Sequence, residues 1–124
     1  MTHLMLVALG GAIGASGRYL VSVATVRFLG VGFPWGTLVV NVVGSFLMGV
    51  LIAYFAKRTG IAQEWRVLLA TGVLGGFTTF SAFSLDAVFL WERGAHFSSI
   101  GYVFGSVLFS ILALFVGLVL VRAS

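Results

Sequence analysis

Apolar residues fill this chain in four long blocks, and the polar residues that interrupt them are few enough to weigh singly. About 20 apolar residues in a helix cross a hydrocarbon core. The blocks therefore predict an all-α membrane protein with transmembrane helices over approximately 3–28, 34–56, 65–91 and 97–121. Pro34 suits the first turn of a helix, where a missing N–H costs nothing. Lys57-Arg58-Thr59-Gly60 stops the second block, Glu92-Arg93-Gly94 the third and Arg122 the fourth. Trp35, Trp65 and Trp91 all fall at block ends, where an aromatic belt would place them.

The polar positions inside the blocks have a period of their own. Ser98, Tyr102, Ser106 and Ser110 recur every four residues, which at about 100° per residue makes one slowly drifting stripe. Such a stripe serves helix packing, as Gly101 and Gly105 also would, or it lines a polar path. Thr37, Asn41 and Ser45 repeat the spacing in the second block, where Asn41 fits either an interhelical clamp or a pore lining. In the first block Gly10 and Gly14 make a close-packing face, and Arg18 either snorkels or faces a water-filled vestibule. No strand precedes these glycines, so they are not a dinucleotide fingerprint.

The third block is the least regular. Gly75-Gly76 followed by Thr78-Thr79 is weak helix material, and a spanning helix that breaks must satisfy its freed carbonyls. The break reads as a transport site or as a kink held by neighbouring helices. Phe77, Phe80 and Phe83 recur every three residues, facing lipid or turning their positive ring edges inward. Asp86 is the only acid within a block, placed to cap or pair locally, with Arg18 as a candidate partner.

Composition narrows the choice. The chain is 60% hydrophobic and 8% charged, against about 25% charged for a soluble domain. Its charge of +4 comes from basic residues scattered between apolar runs, with only Lys57 and Arg58 adjacent, so no basic face forms for nucleic acid. The absence of cysteine removes disulfides and thiolate metal sites. No Ser, His and acid constellation appears, and His3 and His96 lie near block ends, so no enzyme is expected. The N-terminal block lacks a basic residue ahead of it and reads as a retained span, making 1–124 one membrane domain. Lys57, Arg58, Arg66 and Arg122 share one side of the membrane, against Arg27 and Arg93 on the other. The positive-inside rule favours cytoplasmic termini by a margin slim enough for insertion both ways round.

Three motifs carry a family likeness. Gly10-Gly11-x-x-Gly14-Ala15-x-x-Arg18-Tyr19, Pro34-Trp35-Gly36-Thr37-Leu38-x-Val40-Asn41 and Gly75-Gly76-Phe77-Thr78-Thr79-Phe80-Ser81-x-Phe83-Ser84 together resemble the Fluc (CrcB) fluoride channels. The resemblance implies an antiparallel, dual-topology homodimer in the bacterial inner membrane, with two pores that export fluoride passively. Asn41 and the ring edges of Phe80 and Phe83 would line each pore, with Thr37 in the same stripe as Asn41 and Ser81 as a nearby donor. Tyr102, Ser106 and Ser110 would extend it as a hydroxyl track, and Arg18 would face the vestibule. Carbonyls of Gly75 and Thr78 from both subunits would hold a structural sodium ion at the dimer centre. The chain departs from the family pattern at Ala82, usually Thr, and Asp86, usually Glu. The alternative is a small multidrug-type, proton-coupled transporter, which needs an acid deep in the first span that this chain lacks.

Overall fold

The computed structural model describes residues 1–124 and contains helices and connections only. α1 covers Thr2–Leu29 and α2 covers Trp35–Lys57. The third span, Gln63–Glu92, is composite. It comprises α3 (Gln63–Arg66), a wider π-helical stretch (Val67–Leu74), α4 (Gly75–Phe77) and α5 (Ser81–Glu92). α6, His96–Ala123, closes the chain. All four spans are long and apolar enough to cross a membrane. At 28 residues, α1 and α6 rise about 42 Å, more than the roughly 30 Å hydrocarbon core requires.

Pro34 lies just outside α2 rather than in its first turn. Its φ of −79° suits that position, and its carbonyl accepts the N–H of Leu38 at 3.3 Å. At the other end of α2, Lys57 extends its ammonium to the carbonyls of Val121 and Ser124, at 2.7 and 2.8 Å. One cation thereby satisfies free acceptors at the C-terminus of α6, where the helix dipole also favours positive charge.

Backbones meet closely at two crossings. A Cβ on Gly14 would lie 2.0 Å from the carbonyl oxygen of Val73, so only glycine lets α1 approach the π-helical stretch. α2 and α6 cross in the same manner through Gly49 and Gly117, where added Cβ atoms would meet Leu114 and Phe46 carbonyls at 2.1 and 2.4 Å. The small pair Gly101 and Gly105 does not pack α6 against another helix of this chain. A Cβ on Gly101 would meet nothing within 4 Å, and one on Gly105 only Phe109 of the same helix.

Only 16 of 124 residues are buried, so the interior is too thin to stand as a water-soluble core. Phe83, Leu90 and Tyr102 form its main cluster, with Phe33 and Leu38 packed against it. The long apolar side chains of α1 and α6 point outward instead, toward lipid or another protein surface.

Candidate functional site

Helical pairing in the third span ends with the Thr78 N–H, which donates to the Leu74 carbonyl at 3.1 Å. Thr78 is extended (φ −90°, ψ 159°), and α5 restarts at Ser81. Two donors that a continuous helix would direct at backbone carbonyls go elsewhere. The Thr79 N–H, which would reach Gly75, donates to Oδ1 of Asn41 at 2.8 Å. The Ala82 N–H, which would reach Thr78, donates to Oγ1 of Thr79 at 3.2 Å. The carbonyls of Gly75 and Thr78 are thus released from helical pairing.

Asn41 completes the exchange by donating Nδ2–H to the Thr79 carbonyl at 2.9 Å. Its amide therefore clamps α2 to the interruption, and one of its two Nδ2 hydrogens remains uncommitted. Arg18 also meets this region, donating Nε–H to the carbonyl of Gly76 at 3.2 Å. The expected pairing of Asp86 with Arg18 does not occur. α1 packs against α4, so Arg18 reaches the carbonyl end of that short helix, while Asp86 accepts the Tyr102 hydroxyl at 3.1 Å.

A cleft of about 500 Å³ opens beside the interruption. Asn41, Phe80, Phe83, Ser106 and Ser110 line it, with Gly75, Thr78 and Thr79 at its edge, and no carboxylate or cation borders it. The rings of Phe80 and Phe83 stand 5.6 Å apart and tilted by 49°. Phe83 is buried against Tyr102, whereas Phe80 is 77% exposed on the outer side of the chain. Ser106 is buried, and its hydroxyl has no hydrogen-bond partner. A buried hydroxyl left unpaired is costly, so this one is available to a partner that the chain itself does not supply.

The remaining expected residues lie apart from this cleft. Tyr102 is 1% exposed, and its proton is committed to Asp86. Thr37 lines a separate hollow of about 270 Å³ at one end of the bundle, with Asp86 and Arg93. Ser81 is exposed, its hydroxyl 3.4 Å from that of Thr79. Sequence reasoning missed Thr79, which it treated only as a weak helix former. A threonine just ahead of a restarting helix, here three residues before Ala82, the second residue of α5, is a capping pattern and could have been read as one.

Residues 5–118 match the family model described as CrcB-like protein, Camphor Resistance (CrcB). The chain belongs to the CrcB family. It is 61% identical over 123 residues to a protein of Chelativorans sp. (strain BNC1) named fluoride-specific ion channel FluC, covering 99% of this chain and 98% of that one. The likewise named protein of Agrobacterium fabrum (strain C58 / ATCC 33970) is 57% identical over 122 residues, covering 98% of each chain. That of Mesorhizobium japonicum is 52% identical over 123 residues, covering 99% of this chain and 98% of the relative. The CrcB assignment thus spans all four membrane helices and the interruption in the third.

Proposed function

We propose that this chain is a fluoride-selective channel that lets fluoride leave the cell passively, working as an antiparallel homodimer in the bacterial inner membrane. The cleft carries the reading. It brings the spare Asn41 donor, two phenylalanine rings and an unpartnered buried hydroxyl to one interrupted helix. The relatives named as fluoride channels support the same assignment.

Fluoride is small and strongly hydrated, so a path must replace its water with donors while holding it weakly enough to release it. Asn41 and Ser106 supply N–H and O–H groups, and the phenyl edges of Phe80 and Phe83 supply weak positive potential. Ser110 continues the hydroxyl line along α6. Bordering carboxylates would repel the anion, and this cleft has none.

A polar cleft cannot face hydrocarbon. With Phe80 turned outward, a second copy is the natural cover, and this supports the homodimer. The slim bias of basic residues between the two ends permits opposite insertion of the copies. The carbonyls of Gly75 and Thr78, deprived of helical donors, suit a hard cation that prefers oxygen ligands, and we assign them to sodium at the dimer centre. Bound there, sodium would supply a fixed positive charge that satisfies the lone pairs of the freed backbone oxygens. Asn41 and Thr79 do the preparatory work by drawing the competing N–H groups away.

Purified protein in liposomes is the test. Fluoride efflux without chloride efflux, indifferent to a proton gradient, is the expected result. Phe80→Ile should reduce that efflux sharply while leaving assembly intact. Equal passage of chloride, or strict proton coupling, overturns the channel assignment. Cross-linking in membranes that captures only monomers overturns the dimer.

A further inference from the structure

The end of the bundle where α2 gives way to α3 carries a second set of cations that the ion pathway leaves unused. Arg58 follows α2 directly, and its guanidinium carbon lies 5.0 Å from the centre of the Tyr54 ring. Arg66, at the end of α3, lies 5.2 Å from the centre of Phe55. The two rings are 6.1 Å apart, so both arginines rest on one aromatic pair. Phe55 is only 4% exposed, which fixes the platform under Arg66 in the packed interior.

Stacking on a ring orients a guanidinium and leaves its edge donors free. In this protomer the hydrogen bonds made by arginine side chains are those of Arg18 to Gly76 and Arg93 to Gly32. The forks of Arg58 and Arg66 therefore have no protein acceptor. Glu64 is two residues from Arg66 on the same short helix, a spacing that does not place side chains face to face. Lys57 adds charge nearby but spends its ammonium on the C-terminus of α6.

We propose that Arg58 and Arg66 bind the phosphate of an anionic phospholipid. Guanidinium forks match phosphate oxygens two at a time, and these two sit at span ends, the depth of lipid headgroups. Tyr54 and Trp65, both exposed beside them, offer the amphipathic rings that belong at that depth and a surface for the acyl chains. The opposite end of the bundle lacks this arrangement. Arg27 stands alone over Phe28 at 5.8 Å, and Arg93 is spent on a carbonyl. The lipid site is independent of which ion the protein carries.

The experiment is native mass spectrometry of the full-length protein in detergent, titrated with phosphatidylglycerol or phosphatidylcholine. Phosphatidylglycerol should bind preferentially, and Arg58→Gln and Arg66→Gln should each weaken it by about fivefold. Arg27→Gln should leave it unchanged, and replacing both Arg58 and Arg66 by lysine should restore part of the binding lost with glutamine. A wild-type protein that takes both lipids equally overturns the site, as does undiminished phosphatidylglycerol binding by the double glutamine variant. Displacement of the lipid by millimolar inorganic phosphate would give these arginines to a soluble anion and overturn it too.

Discussion

The side-chain amide of Asn41 and the backbone of Thr79 form a closed pair of hydrogen bonds, 2.8 Å inward to Oδ1 and 2.9 Å outward from Nδ2. The residues lie on different spans, 38 positions apart. Through this pair the third span leaves the helix inside the membrane without stranding the N–H or C=O of Thr79. The same pair keeps the Thr79 N–H away from Gly75, so one asparagine both closes the interruption and frees a carbonyl.

Asn41→Asp separates these roles. The carboxylate still accepts from Thr79 but cannot donate to its carbonyl, and it brings a negative charge to the cleft. Fluoride efflux from liposomes should fall by two orders of magnitude or more, since both the spare donor and the electrostatics are reversed. Asn41→Ala strands both Thr79 groups and should lower stability by about 1–3 kcal/mol in thermal unfolding. Full efflux in the aspartate variant would remove Asn41 from the path.

Thr79→Val keeps the shape of the side chain and removes the acceptor for the Ala82 N–H. A lost helix cap costs about 1 kcal/mol. The released N–H should also turn toward the Thr78 carbonyl and compete with a cation there. Sodium in place of N-methylglucamine should raise the unfolding temperature of the wild type, and this gain should shrink in Thr79→Val. Thr79→Ser, which retains the hydroxyl, should recover it. An equal sodium response in all three proteins would detach Thr79 from the proposed cation site.

Ser106→Ala should divide function from stability. The hydroxyl has no partner in the protomer, so its removal should leave stability unchanged or raise it by up to about 1 kcal/mol. Fluoride efflux should nevertheless drop several-fold. Lost stability with unchanged efflux would make this hydroxyl a packing group bonded to the second copy of the proposed dimer.

Gly49→Ala tests the crossing of α2 with α6. The added methyl would stand 2.1 Å from the Leu114 carbonyl oxygen, against rigid helix backbone. Destabilisation of about 1–3 kcal/mol or more is expected in thermal unfolding. Gly101→Ala, which meets nothing in the protomer, should leave protomer unfolding unaltered.

Much of the fold was legible because the signals were local. Hydropathy announces a span within its own twenty or so residues, and the Gly10 and Gly14 face was visible from spacing alone. Partners were not legible in that way. Arg18 and Asp86 looked suited to one another as opposite charges, yet α1 brings Arg18 to a carbonyl and α6 brings Tyr102 to Asp86. The spacing of Gly101 and Gly105 resembled a packing motif, but α6 turns Gly117 to its neighbour instead.

The sequence by itself determined four apolar helices, a weak point after Gly75-Gly76 and the polar residues available within the membrane, because each follows from composition over one or two turns. Only the tertiary structure decided that Asn41 closes on Thr79, that Phe80 faces outward while Phe83 is buried, and that Ser106 has no partner. Those outcomes depend on how helices rotate and cross. In a chain this apolar, crossings are set by which backbones can touch, and spacing along one helix does not record the face of another.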